Sequence, residues 1–177
     1  TGANVAVGPA YAYGPWRASD KWTTRAPLPQ MRNTPAGAAL GGKMYVTGGS
    51  FIPATADTYE YDPAANLWVQ RQNMLTARNA HGMVAIGGRL YAVGGSNGGA
   101  LAANEEFDPA ANTWTARRPI PTARYNFTFA VSGGRLYAIG GSTYQNTPLA
   151  AVEAYDPAEH VWTAKAALPG PPRFDFA

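Results

Sequence analysis

The chain contains no cysteine among its 177 residues. Disulfides, thiolate metal sites and a cysteine nucleophile are therefore excluded, although this absence fixes no cellular compartment. Charged residues make up only 14%, the net charge is +3 and no block of Lys or Arg occurs, so nucleic-acid binding is not indicated. No apolar run approaches the length of a membrane span, so no membrane partner is expected. A first residue of Thr1 indicates a processed or trimmed end, which would permit export of a soluble protein.

Helical periodicity is also missing from the sequence. The chain contains 20 glycines and 15 prolines, a content typical of many short strands joined by tight turns. With 46% hydrophobic residues, the chain has enough apolar side chains for a packed core. The composition therefore predicts an all-β fold.

Four features recur along the chain with nearly constant spacing. They are a Gly-Gly pair after an apolar segment, an aromatic-Asp-Pro triplet, a Trp six residues after that Asp, and an Arg. Successive Gly-Gly pairs start 46 residues apart, and the last interval of each other series is longer, so one loop carries a small insertion. The recurring positions are Gly48, Gly94 and Gly140; Asp62, Asp108 and Asp156; Trp22, Trp68, Trp114 and Trp162; and Arg32, Arg78, Arg124 and Arg173.

Each period is predicted to form four antiparallel strands, A to D. In the central repeat, strand A is the small apolar segment 80–86, and Gly87-Gly88 supplies the positive φ of a tight hairpin. Strand B covers 90–93, and strand C ends before the turn residues Asp108–Asn112. Strand D carries Trp114. Since one such sheet cannot bury both faces, we expect the sheets to stack with the Trp and strand Tyr rings between them.

The recurring order of these features, and residues 79–95 in particular, resembles the kelch repeat. The resemblance covers residues from about 20 to 173. It implies a kelch-type β-propeller of four-stranded antiparallel blades, either partial or completed by self-association. We expect a single propeller region over 1–177, divided into a degenerate partial blade (1–30), three blades (31–76, 77–122 and 123–170) and the start of a next strand A (171–177).

Kelch propellers usually have six or seven blades, so this chain is expected to be short of a ring. Three outcomes follow: the chain is the remainder of a longer propeller protein, two chains close one ring, or one chain closes as four blades. We hypothesise self-association as a two-fold homodimer.

Because strand direction alternates, the loops sort onto two faces. The A–B and C–D turns form one, here named the turn face, and the B–C and D–A loops form the other, named the loop face. Kelch resemblance implies partner binding at the loop face, and the forked donors of repeated Arg side chains suit carboxylates. The alternative is that each Arg pairs locally or packs its stem between blades. The candidate ligand-binding residues are Arg32, Asn33, Phe51, Arg78, Asn79, Asn97, Arg124, Tyr125 and Tyr144.

The sequence favours a non-enzymatic module that binds an acidic peptide, a protein loop or a glycan. One alternative implied by the resemblance is a sialic-acid isomerase, with Arg78, Arg124 and His81 as substrate contacts. Another is a purely structural assembly unit. We expect no cofactor, no metal and no catalytic residue: His81 and His160 lie in different repeats at opposite ends, and no Gly-x-Ser-x-Gly motif occurs.

Overall fold

The computed structural model describes residues 11–12, 22–50, 53–143 and 147–172. Every regular element in these ranges is a β-strand. Two short strands, β1 (Tyr11–Ala12) and β2 (Thr23–Thr24), pair near the start, and three four-stranded sheets follow. The part of the chain covered by the structure has no helix of the length and apolar character that crossing a membrane requires.

The three sheets repeat the same strand order. The first blade comprises β3 (Ala36–Leu40), β4 (Lys43–Thr47), β5 (Thr58–Asp62) and β6 (Leu67–Arg71). The second blade comprises β7 (Gly82–Ile86), β8 (Arg89–Val93), β9 (Asn104–Asp108) and β10 (Thr113–Arg117). The third blade comprises β11 (Thr128–Ser132), β12 (Arg135–Ile139), β13 (Val152–Asp156) and β14 (Val161–Lys165).

Within each blade, consecutive strands are antiparallel neighbours. Strand β7 contacts both β3 and β11, so the first strand of each blade lies where successive blades meet. This arrangement confirms the predicted all-β class and the four-stranded antiparallel blade. The three blades form part of a propeller.

The Gly-Gly pair that ends strand B marks a close approach between blades. At Gly94, φ is +63° and an added Cβ would lie 2.6 Å from the Arg124 carbonyl oxygen of the third blade. At Gly95, an added Cβ would lie 2.7 Å from the Asn79 oxygen. Both positions therefore require glycine because backbone occupies the space of a side chain.

Aromatic rings fill the space between blades. Tyr45 of the first blade meets Phe107 of the second with ring centroids 6.0 Å apart, and Tyr91 meets Tyr155 of the third at 5.9 Å. Trp114 is only 7% exposed and belongs to the core between the first two blades. The expectation that Tyr and Trp rings lie between blades is thus confirmed for these residues.

Hydrogen bonds also tie each blade to the one before it, two of them in the first and second blades. In the third blade, Trp162 donates to the Arg118 carbonyl at 2.9 Å and His160 replaces the turn Asn. The Trp114 indole Nε1–H donates to the Gln72 carbonyl at 2.9 Å, while the Gln72 N–H donates to Asn112 Oδ1 at 3.0 Å. The same two bonds join Trp68 and Asn66 to Ala26. The recurring Trp and the turn Asn therefore act together on one residue of the preceding blade, which the sequence analysis did not foresee.

Candidate functional site: a cleft between loops

In each of the three blades, the side chain of the arginine that precedes strand A is buried inside the blade. In the second blade, the Arg78 side chain is 0% exposed and its guanidinium bonds to the Glu105 carboxylate. It also donates to the Gly94 and Ala103 carbonyls, at 3.2 and 3.1 Å. Burial lowers the pKa of Arg78, and the charge of Glu105 opposes that shift. The guanidinium therefore joins strands β8 and β9 from inside.

The third blade repeats this arrangement closely. Arg124 is also 0% exposed, and it donates to Glu153 at 2.5 Å, to the Gly140 carbonyl at 2.8 Å and to the Ala151 carbonyl at 3.0 Å. Burial lowers its pKa as well, against the attraction of Glu153. Two successive blades thus hold the same internal ion pair.

The first blade achieves the same result with different residues. Arg32 bonds to Asp57 at 2.5 Å and to the Gly48 carbonyl at 3.0 Å. Tyr59 occupies the position that Glu105 holds in the second blade, and the Arg32 guanidinium lies 5.1 Å from the centre of its ring. The carboxylate of Asp57 lies two residues before the position that is equivalent to Glu105, and Arg32 is still paired and buried.

These contacts correspond to the local-pairing alternative for the arginines. The side chains of Arg32, Arg78 and Arg124 are at most 1% exposed, and each guanidinium has a carboxylate partner, which is buried in the second and third blades. Direct contact with a ligand would require the ion pair to open and leave a buried carboxylate uncompensated. Ligand binding by these arginines stays a prediction that this geometry does not favour.

His81 is likewise internal. Its Nε2 lies 2.9 Å from the Thr47 hydroxyl, and its ring is packed between the first and second blades. Burial lowers its pKa to about 3, with a further contribution from the Arg78 charge, so the imidazole is neutral at ordinary pH. The three residues of the isomerase alternative, Arg78, Arg124 and His81, are all buried.

A cleft of about 470 Å³ lies between three successive D–A loops on the loop face. Each loop contributes the residue after the buried arginine and the one that follows it. Ser96, from the connection between β8 and β9, completes the wall. The lining residues are Asn33, Thr34, Asn79, Ala80, Ser96, Tyr125 and Asn126.

A chain of backbone bonds fixes the floor of this cleft. Thr34, Ala80 and Asn126 occupy equivalent positions with φ of 48°, 50° and 51°. In this left-handed conformation the Ala80 N–H donates to the Thr34 carbonyl at 3.0 Å, and the Asn126 N–H donates to the Ala80 carbonyl at 3.1 Å. The unusual φ recurs in every described D–A loop, so it is part of how neighbouring blades are joined.

Hydrogen bonds also hold the walls of the cleft in place. Asn79 and Ser96 exchange two backbone bonds, Asn79 N–H to Ser96 O at 3.0 Å and Ser96 N–H to Asn79 O at 2.8 Å. The Asn79 Nδ2 also donates to the Ser50 carbonyl at 2.8 Å, which fixes the orientation of its amide. The described lining therefore presents amides, hydroxyls and one phenol on a rigid frame, and none of its side chains is charged at neutral pH.

The structure brings together three of the candidate residues, Asn33, Asn79 and Tyr125. Asn97 is exposed but outside the lining, and Phe51 and Tyr144 lie outside the described residues. Sequence reasoning missed Thr34, Ala80, Ser96 and Asn126 as lining residues. Thr34, Ala80 and Asn126 could have been found from their position, because each stands two residues after a recurring arginine.

The turn face carries charges that neutralise one another. Lys43, Arg89 and Arg135 lie 3.7, 2.9 and 2.9 Å from the aspartates of the Asp-Pro turns. Hydrogen bonds from Arg71, Lys43 and Tyr45 lower the pKa of Glu60 to about 2 against the effect of burial, the Arg71 bond being the largest cause. Within residues 22–50, 53–143 and 147–172, no three His, Asp or Glu side chains are grouped as metal ligands.

Blade architecture and recurring motifs together define a repeat protein of the β-propeller class. The family profile described as Kelch motif matches residues 31–75, 77–119 and 123–169. The chain therefore belongs to the kelch-repeat family. Among solved structures, a chain titled "Structure of YjhT" is similar with a TM-score of 0.81 and 19% sequence identity, a likeness of fold. The match covers 92% of this chain but only 60% of that one. No curated protein sequence matches this chain.

Proposed function

We propose that this protein is a non-enzymatic binding module whose ligand docks in the cleft on the loop face. One observation carries the proposal: three successive D–A loops place equivalent residues around a single cavity. A pocket formed by several loops on a rigid scaffold is the usual place for a binding site in a repeat fold. Its volume falls within the range of about 300–1,000 Å³ of small-ligand sites.

The side chains around the cleft suit recognition better than catalysis. Asn33 is exposed and Tyr125 half-buried, so an amide and a phenol ring are accessible to a ligand. General acid–base chemistry needs a titratable group within hydrogen-bond reach of the substrate. His81, which could supply such a group, is buried within the blades, and the one titratable side chain of the described lining is the Tyr125 phenol. A protein loop, a peptide or a glycan would each fit a binding role.

Binding can be tested with an array of peptides and glycans probed with the full chain. Asn33→Ala removes an exposed amide from the cleft, and Asn126→Gly removes a half-buried one while keeping a residue that tolerates positive φ. We expect each substitution to weaken an array hit roughly three- to tenfold, the effect of one hydrogen bond.

Asn73→Ala is the matched control, because Asn73 is an exposed asparagine outside the cleft lining. It should leave the affinity for the same hit unchanged. The proposal fails if every hit binds both cleft variants as tightly as the wild-type protein.

A further inference from the structure

We infer that the ligand of this cleft is a neutral, hydroxyl-rich carbohydrate, an inference that rests on the proposed function. The observation behind it is the chemistry of the lining. Asn33 and Asn126 offer amides, Thr34 and Ser96 offer hydroxyls, and Tyr125 offers a ring with a polar tip, while the buried Asn79 amide is held by the Ser50 carbonyl.

Each of these groups both donates and accepts hydrogen bonds. A sugar hydroxyl also does both, so it can bond to an amide or a hydroxyl in either sense. A carboxylate or phosphate only accepts, and its best partners are guanidinium and ammonium groups. The lining thus matches alcohol groups more closely than anionic groups.

The distribution of charge points the same way. The three guanidiniums nearest in sequence to the cleft, those of Arg32, Arg78 and Arg124, are at most 1% exposed, and each is paired with a carboxylate. Lys43, Arg89 and Arg135 pair with aspartates on the turn face, and the exposed Arg118 of the D–A loop before β11 is not among the residues that line the cleft. An anionic ligand in the cleft would lose its hydration without gaining a counter-charge from the described lining.

Tyr125 adds the apolar element that carbohydrate binding requires. A sugar ring has faces of C–H groups as well as an edge of hydroxyls, and an aromatic ring covers such a face while its hydroxyl stays polar. Tyr125 is half-buried at the third of the three loops, and its backbone is bonded in both directions to Ser142 at 3.0 and 2.9 Å. The backbone that carries the phenol is therefore held in place at one side of the cleft.

Isothermal titration calorimetry of the full chain tests the inference. The probes are neutral oligosaccharides and matched ones that carry a terminal uronic or sialic acid, together with acidic peptides. We expect at least one neutral oligosaccharide to bind with an affinity that is the same at low and high salt, since no charge pair is involved. Tyr125→Ala and Asn126→Gly should each weaken this binding roughly three- to tenfold, while Asn73→Ala should not.

Two other results have distinct meanings. Cleft-dependent, salt-sensitive binding of acidic peptides or acidic sugars alone would overturn the carbohydrate inference and leave the proposed binding site intact. Binding that is unchanged in both cleft variants, or the absence of any binder in the panel, would overturn the inference and the proposed function together.

Discussion

At the scale of single residues, the buried arginine of each blade is the central group of the structure. Arg78 spans two strands by bonding to Glu105 and to the Gly94 and Ala103 carbonyls. Replacing it leaves a buried carboxylate without a counter-charge and two buried carbonyls without a donor. The arginine therefore contributes to the fold rather than to the cleft surface.

Arg78→Met should lower the free energy of unfolding by ~3–5 kcal/mol, the usual effect of removing one partner of a buried ion pair. Urea denaturation at neutral pH measures it. Arg118→Met is the matched control, since the Arg118 side chain is exposed, and it should change stability by about 0.5 kcal/mol or less. Equal stability of the two variants would show that Arg78 is not an internal clamp.

His81 links stability to pH. Its folded-state pKa of about 3 lies below the ordinary value of 6.5, so between these pH values the unfolded chain binds a proton at His81 and the folded protein does not. Stability conferred by the neutral imidazole is fully present above about pH 6.5 and is lost progressively as pH falls toward about 3.

His81→Phe should remove this dependence, because Phe127 occupies the equivalent position of the third blade. Between about pH 7 and pH 5, the wild-type protein should lose about 2 kcal/mol more stability than the variant. Chemical denaturation at both pH values provides the comparison. Identical losses in the two proteins would mean that His81 is accessible to protons in the folded state.

At the scale of strands and turns, an indole binds each blade to its predecessor, and a turn amide joins it in the first and second blades. Trp114 fills space against the first blade and also donates to the Gln72 carbonyl. The two roles can be separated by substitution, because phenylalanine keeps most of the ring and lacks the N–H.

Trp114→Phe should cost ~1 kcal/mol for the lost hydrogen bond, and Trp114→Ala should cost ~3–5 kcal/mol because a cavity is added. The midpoints of thermal and urea unfolding give both values. A melting temperature of Trp114→Ala indistinguishable from that of wild type would place the ring in solvent and require a new repeat register.

The strand pattern could be predicted from the sequence because it rests on residue types with strong local preferences. Gly94 and Gly95 mark a close backbone approach, and the Asp-Pro turns mark the end of each strand C. The family follows from the same residues. These positions recur unchanged because backbone geometry leaves little choice there.

The cleft could be predicted only in part. Asn33, Asn79 and Tyr125 were identified from their place on the loop face, whereas the floor residues Thr34 and Ala80 share a φ near 50° but no side-chain chemistry. The sequence also left undecided whether the arginine side chains line the loop face or bond inside the blade, because a repeated arginine is compatible with both arrangements. Only strand pairing shows which carboxylate lies within reach.

At the scale of the whole molecule, each blade covers the face of the one before it. Tyr45 and Tyr91 pack against rings of the following blade, and Tyr137 is the equivalent residue of the third blade. Tyr137 is half-buried, and no sheet follows β14 within the described residues. A second copy of the chain would continue the same interface, and the two-fold dimer stays a prediction.

Sedimentation velocity over a concentration series tests this hypothesis. We expect a shift from monomer to dimer with rising concentration, and Tyr137→Lys should move the shift to higher concentration, since it places a charge on the covered face. A compact, protease-resistant monomer at all concentrations would contradict the dimer and favour a ring closed by one chain.

The central claim is that Arg32, Arg78 and Arg124 are internal and leave the cleft uncharged. Modification of the native protein by an arginine-directed dicarbonyl reagent, read by peptide mass spectrometry, tests it most directly. Arg118, exposed, and Arg135, with a side chain 48% exposed, should react, whereas Arg78 and Arg124 should react only after urea unfolding. Reaction of Arg78 or Arg124 in the native protein at the rate of Arg118 would contradict the account, because the loop face would then present cations to an acidic ligand.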